Sequence, residues 1–282
     1  MIALGSAYIK GVVRAALDED MGSGDITTLL TVPEDAAAKA TFVVKQEGVI
    51  AGMHVARAAF RALDRKAVFE TAIDDAARVQ PGDSIATVAG NARAILSAER
   101  VALNFLQHMS GIATLTAKYV GLVSHTKAKI IDTRKTTPGL RRLEKNAVTV
   151  GGGFNHRFNL SDGILIKDNH IAAAGGVTAA VTAAREGAPH TLKIECEVTN
   201  LDELSEAIAA GADAVLLDNM PLDMLRQAVE LAAGRVITEA SGGINEETVA
   251  AIAETGVDLI SVGALTHSAP ALDISLRFDE PR

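Results

Sequence analysis

Tryptophan is absent from this 282-residue chain, and cysteine occurs once, at Cys196. A lone cysteine excludes an internal disulfide and any cysteine-rich metal site. Aromatic residues make up only 3% of the sequence, too few to suggest recognition by stacking on exposed bases. No apolar run approaches the roughly 18 residues of a membrane span. Cations are outnumbered, with 27 Lys+Arg against 35 Asp+Glu, a formal net charge of −8 and a pI near 5.4. Nonspecific nucleic-acid binding depends on neutralising phosphates, so this balance argues against it. The opening MIALGSAYIKGVVRAALDED reads as an amphipathic helix with acids at its end, not as a signal peptide. A cytoplasmic protein without membrane or nucleic-acid partners is expected.

What is present is concentrated in one place. Between Arg134 and His170 lie seven Lys/Arg (Arg134, Lys135, Arg141, Arg142, Lys145, Arg157, Lys167) against three acids (Glu144, Asp162, Asp168). Like charges repel at close range, so such an island in an acidic protein points to a bound polyanion. Gly151, Gly152 and Gly153 sit inside it, where backbone can approach a ligand closely. Arg141-Arg142 also reads simply as a solvated helix face.

The length allows one large barrel or two domains, and 48% hydrophobic residues suffice for a core. From about residue 114 onward, short β-rich runs alternate with helical patterns. The runs are 129–132, 164–166, 192–198, 214–218, 236–240 and 259–262, with a weak seventh at 147–150. Helical stretches at 177–186, 201–210, 222–233 and 246–254 separate the later ones, several closed by glycine. This alternation predicts βαβ units and a parallel sheet, fitting a closed or nearly closed α/β barrel. The first 112 residues differ: 40–49 and 84–88 are β-like, Gln80–Asp83 is a turn, and 94–109 reads as a long helix. They predict an α+β domain joined to a barrel of residues 113–271 near Ser110-Gly111. Residues 272–282 are expected to return to the first domain.

Polar residues fall at the C-terminal ends of the predicted strands: Asp132/Arg134/Lys135, Lys167/Asp168, Glu195/Glu197, Asp218, Glu239/Ser241 and Gly263. That face builds the active site in α/β barrels. Strand parity puts Lys193, Glu195 and Glu197 on one face, with an interior Lys193–Glu195 ion pair expected. Cys196 falls on the other face, as a small buried hydrophobe. Glu197 and Asp218, at neighbouring strand ends, are candidate ligands for Mg2+. Ser241-Gly242-Gly243 and Gly263-Ala264 close the last two strands, where barrels bind phosphate through backbone N–H groups. His54, His108, His125 and His190 read as surface or satisfied core residues.

At these residues the chain resembles the quinolinate phosphoribosyltransferase family, the carboxylating nicotinate-nucleotide pyrophosphorylases. The matching segments are DTRKTTPGL (132–140), GGGFNHR (151–157), LIKDNHI (165–171), IECEVTNL (194–201), LLDN (216–219), SGGI (241–244) and SVGALTHS (261–268). DEDMGSGDITT (18–28) and SAERVALNFLQHMSGIAT (97–114) extend the likeness over nearly the full length. Asn146 and Asn159 depart from it, standing where Tyr and Gly are common. The resemblance implies an N-terminal α/β sandwich and an incomplete, seven-stranded barrel, assembled as a homodimer with shared active sites. The implied reaction converts quinolinate and 5-phosphoribosyl 1-diphosphate to nicotinate mononucleotide, CO2 and diphosphate, a de novo step toward NAD.

The residue chemistry suits that reaction. Two adjacent carboxylates on quinolinate need fixed cations, for which Arg134, His156, Arg157, Lys167 and Arg100 are candidates, with Thr133 implied beside them. Arginine's planar fork matches a carboxylate bidentately. Lys135 would steady the diphosphate and Mg2+ on Glu197 and Asp218 would hold it; the resemblance makes Lys135, Lys167, Glu197 and Asp218 the catalytic set. Two other readings compete. A phosphoribosyltransferase using nicotinate would not need cations for a second carboxylate. A non-catalytic, transport-associated paralogue would deviate at 132–140, which is intact here.

Overall fold

The computed structural model describes residues 4–279. Met1–Ala3 and Glu280–Arg282, the ends of the expected opening helix and closing segment, lie outside the described residues. In chain order the first part runs α1 (Ser6–Met21), α2 (Ile26–Thr31), β1 (Ala37–Val44), β2 (Gly48–Val49), α3 (Met53–Leu63) and β3 (Val68–Thr71). Then come β4 (Arg78–Val79), β5 (Ser84–Asn91), α4 (Ala92–Val123), β6 (Lys129–Ile131), α5 (Arg141–Val150), β7 (Ile164–Ile166) and α6 (Asp168–Ala174). The remainder is α7 (Val177–Gly187), β8 (Ile194–Val198), α8 (Leu201–Ala209), β9 (Ala214–Asp218), α9 (Leu222–Ala232) and β10 (Ile237–Ser241). It closes with α10 (Val249–Ala253), β11 (Leu259–Ser261), α11 (Ala264–His267) and β12 (Ile274–Phe278). Among the described residues no helix is long and apolar enough to cross a membrane.

The chain forms two compact units, one of residues 1–117, 136–152 and 266–282, the other of 118–135 and 153–265. The division does not follow a single cut at 112/113, because Thr136–Gly152 belongs to the first unit.

The first unit carries an antiparallel sheet in the order β12-β1-β5-β3. Alternation along β1 turns Ala40, Phe42 and Val44 inward. Phe42 meets Phe60 of α3 edge-on at 5.9 Å between ring centroids, and Phe69 of β3 lies 5.7 Å from Phe42. Three of the seven phenylalanines thus make one core cluster, each buried ring contributing about 1.5–3 kcal/mol. β12 pairs with β1, Val44 opposite Ile274, so the closing segment does return to the first sheet.

Helix α4 runs 32 residues, past the junction expected at Ser110-Gly111. Gly111 is there for packing: a Cβ would collide with the Pro270 carbonyl. Gly151 likewise abuts the Ala113 carbonyl, so it serves close helix approach and not a ligand. The weak seventh strand expected at 147–150 is instead the last turn of α5, whose Leu143, Ala147 and Val148 are buried. Arg142 of the same helix stacks over the Tyr8 ring, and His108 is satisfied at 2.9 Å by the fully buried Glu144.

The second unit is a six-stranded parallel sheet, β6-β11-β10-β9-β8-β7. One cavity of about 390 Å³ is lined by Lys129, Ile164, Glu195, Ala214, Ile237 and Leu259, one residue from each strand. All six strands can touch a single cavity only if the sheet curls around it. Phe154 adds a one-residue parallel rung to Ile131 of β6. Along β8, Ile194, Cys196 and Val198 are buried on the outer face while Glu195 and Glu197 face inward, as parity required.

Candidate active site

A second cavity, of about 700 Å³, opens at the C-terminal ends of the same strands. β6 delivers Thr133, Arg134 and Lys135 to it; β7 delivers Lys167 and Asp168. Glu197 enters from the end of β8, Asp218 and Asn219 from β9, Glu239 and Ser241 from β10, and Ser261 from β11. His156 and Arg157 line it from the segment after Phe154. Four Lys/Arg cations and four carboxyl groups, gathered from distant stretches of chain, are thus brought together.

Asp132 holds that segment in place. It is fully buried and accepts from Asn155 Nδ2 at 2.6 Å and from the His156 backbone N–H at 2.9 Å. Its role is to aim the 155–157 segment, so its position at a strand end does not make it a ligand.

Arg157 donates to the Gly163 carbonyl at 2.9 Å. Burial, then the neighbouring Arg134 guanidinium, pull its pKa below the usual arginine value. A half-buried guanidinium beside an exposed one that raises the local positive charge is what an anion would relieve. Lys167 Nζ lies 3.2 Å from Glu197 Oε2.

Glu195 does not pair with Lys193. Its Oε2 lies 3.2 Å from His156 Nε2. The Arg157 backbone N–H, which can only donate, points at His156 Nδ1 at 2.6 Å. His156 is thus contacted at both ring nitrogens, by the Arg157 backbone N–H and by the Glu195 carboxylate.

The glycine turn after β10 is tightly fitted. Gly242 and Gly243 have φ of +91° and +62°, and a Cβ on Gly242 would collide with the Asn219 side chain. Asn219, itself at φ +51°, donates from Nδ2 to Asp218 Oδ2 at 2.8 Å. The sequence reading missed Asn219; its only signal was its place after Asp218. Gly263 and Ala264 stand at the start of α11 and are not among the residues lining the cavity. Arg100 lies on α4 in the first unit, exposed to solvent.

Cys196 is buried with its thiol pushed up to about 11, by burial and then by the nearby Glu203, Glu197 and Glu195 carboxylates. It is a small buried residue on the outer face of β8, as its parity suggested.

Two family models, described as the N- and C-terminal domains of quinolinate phosphoribosyl transferase, match residues 25–110 and 112–277. A probable nicotinate-nucleotide pyrophosphorylase [carboxylating] of Bacillus subtilis (strain 168) is 47% identical over 268 residues, covering 95% of this chain and 92% of that protein. The nicotinate-nucleotide pyrophosphorylase [carboxylating] of Mycobacterium leprae (strain TN) is 46% identical over 280 residues, covering 95% and 96%. The solved structure of the nicotinate-nucleotide pyrophosphorylase from Francisella tularensis superposes with a TM-score of 0.94 at 44% identity, covering 98% of each chain. With both domain models matched in order and near-complete relatives at this identity, the chain belongs to the quinolinate phosphoribosyltransferase family.

Proposed function

We propose that this protein transfers the phosphoribosyl group of 5-phosphoribosyl 1-diphosphate to the ring nitrogen of quinolinate, releasing diphosphate and CO2 and leaving nicotinate mononucleotide. The observation that carries this is the single 700 Å³ cavity in which Arg134, Lys135, Arg157 and Lys167 converge with Glu197, Asp218 and the 241–243 turn. Arg134 and Arg157 clamp the two carboxylates of the pyridine, with Thr133, His156 and Lys167 completing the pocket. Lys135 steadies the departing diphosphate. Ser241, Gly242 and Gly243 take the 5-phosphate on their backbone N–H groups, with Gly263-Ala264, after the neighbouring strand β11, as a second glycine turn for it. Attack at the ribose carbon passes through an oxocarbenium-like state, so positioning and fixed charge supply most of the rate.

Two carboxylates on adjacent strands, opening to one cavity, form a hard oxygen donor set that suits Mg2+. Bound there by Glu197 and Asp218, the ion would neutralise diphosphate charge. Lys167 holds Glu197 extended toward the cavity, and Asn219 does the same for Asp218.

The reading includes a cytoplasmic homodimer with Arg100 reaching the partner subunit's cavity. Two features support it. Arg100 is exposed, and α2 presents Ile26, Leu29 and Leu30 to solvent at 69%, 53% and 81% exposure. Asp25 at the head of α2 is tied to Ser97 of α4, one turn before Arg100, so the apolar patch and the arginine neighbour each other. The segment at Phe154 takes the place of the seventh barrel strand.

The test is a coupled assay for CO2 and diphosphate with purified protein, Mg2+, the phosphoribosyl donor and either quinolinate or nicotinate. Release of both products with quinolinate is expected. Turnover of nicotinate without CO2, or none with either, would overturn the reading.

A further inference from the structure

Asp218 and Ser241 are register partners, opposite each other at the ends of the parallel strands β9 and β10. In the reading above, the first holds the divalent cation and the second opens the turn that takes the 5-phosphate. Asn219 touches both. Its backbone N–H donates to the Ser241 carbonyl at 2.9 Å, and its side-chain Nδ2 donates to Asp218 Oδ2 at 2.8 Å. The same side chain fills the place that a Cβ on Gly242 would take.

An unusual backbone makes these contacts possible. Successive residues of an extended strand face opposite sides, yet Asp218 and Asn219 line one cavity. Asn219 breaks the alternation with φ +51°; the other described non-glycine residues at positive φ are Ala76 and Ala233. Glycine would take this conformation without strain, so an asparagine there points to a task for its side chain. The turn it meets needs support. Gly242 and Gly243 are exposed and line two cavities, the 700 Å³ one and a neighbour of about 500 Å³ that Met220, Leu222 and Ile252 also line. Asn219 lines both as well, and braces the turn from the β9 side.

We infer that Asn219 is a positioning residue that couples the two ends of the phosphoribosyl-donor site. It ties Asp218 to the 241–243 turn, so that an ion on Asp218 and a phosphate on the turn each strengthen the binding of the other. Its side chain acts through Asp218 and Gly242, not on the reacting carbon. The inference rests on reading Glu197, Asp218 and the 241–243 turn as that site.

The test measures binding by calorimetry on the full-length protein, with Mn2+ as the ion and ribose 5-phosphate as the phosphate probe. In the wild type, saturating Mn2+ should tighten the binding of ribose 5-phosphate. Asn219→Gly keeps the left-handed backbone and its N–H and removes the side chain. It should lose about two- to tenfold of that tightening, the worth of one hydrogen bond. In turnover, the KM for the phosphoribosyl donor and the Mg2+ requirement should rise together, while kcat and the quinolinate KM change less. Gly242→Ala should cost less donor affinity in the Asn219→Gly background than in the wild type, because the methyl then has room. A merely structural asparagine would lower thermal stability and leave the coupling intact. Folded Asn219→Gly with wild-type coupling would overturn the inference, as would an equal cost of Gly242→Ala in both backgrounds. A wild type that binds the two probes independently would overturn it without any variant, so misfolding of Asn219→Gly does not shield it. A wild type that binds neither probe would overturn the reading of the cavity along with it.

Discussion

Lys167 Nζ and Glu197 Oε2 meet at 3.2 Å, across the ends of the neighbouring parallel strands β7 and β8. The lysine is half-exposed and the glutamate is 12% exposed, so the pair sits at the cavity rim where a cation or an anionic substrate can compete for either partner. A divalent cation on Glu197 and Asp218 would release Lys167 toward the substrate. Replacing Glu197 and Asp218 together with Ala should abolish turnover and leave quinolinate binding, measured by calorimetry, largely intact. Full activity in EDTA would exclude an obligatory metal.

Arginine geometry gives the second prediction. If Arg134 and Arg157 clamp carboxylates, Arg→Lys at either replaces a bidentate fork with a point charge. A lost charge-assisted bond costs about 1.5–3 kcal/mol, or roughly ten- to a hundredfold in quinolinate affinity. Wild-type affinity in both lysine variants would assign these arginines to a surface role.

The shared site can be tested by complementation. Arg100→Ala and Lys135→Ala are each expected to be inactive. Unfolded together and refolded as a mixture, they should regain about a quarter of wild-type activity, because roughly half the dimers are mixed and each carries one intact site. With subunit exchange verified, a mixture that stays inactive shows that Arg100 acts within its own subunit.

Gly242 separates steric fit from backbone strain. Gly242→Ala should raise the KM for the phosphoribosyl donor well beyond the about 1–2 kcal/mol of left-handed strain, because the new methyl meets Asn219. Gly234→Ala is the control: it has φ +71° with nothing within 4 Å, so it should cost stability alone. Equal donor affinity in the two variants would remove the steric argument.

The thiol of Cys196 should resist alkylation at pH 8 in the native protein and react once the chain is unfolded, as followed by mass spectrometry. Its folded value of about 11 exceeds the ordinary thiol value of about 8.5. Between the two, the folded chain holds the proton more tightly than the unfolded one. This contribution to stability is therefore complete below about pH 8.5 and lost as pH rises toward 11. Rapid native labelling would show that the β8 outer face opens.

Much of the second unit was legible because buried parallel strands are short apolar runs, and polar residues at their ends interrupt the pattern in phase. What failed was local. The run 147–150 is apolar and β-branched, but it forms the last turn of α5, and Gly151 packs on α4. The junction expected near Ser110-Gly111 is instead continuous helix, where α4 needs Gly111 to pass Pro270. The Lys193–Glu195 pair was the natural guess from one strand alone, since the true partner, His156, arrives from a segment held by the Phe154 rung to Ile131 and by Asp132. Periodicity reports which face a residue takes, and distant hydrogen bonds decide whom it meets there.

The ladder between β1 and β12 has a consequence for how the protein is made. Val43 and Ser275 face each other across 232 residues of chain. As synthesis proceeds, the second unit's sheet can assemble while β1 still lacks its outer neighbour. Until residues 274–278 emerge, β1 offers an open ladder edge beside the Phe42 core, a template for pairing with another nascent chain. Closing so long a loop late makes the first unit the slow step of maturation. A ribosome-stalled fragment ending before residue 270 should therefore aggregate through its N-terminal sheet, although those residues were translated first.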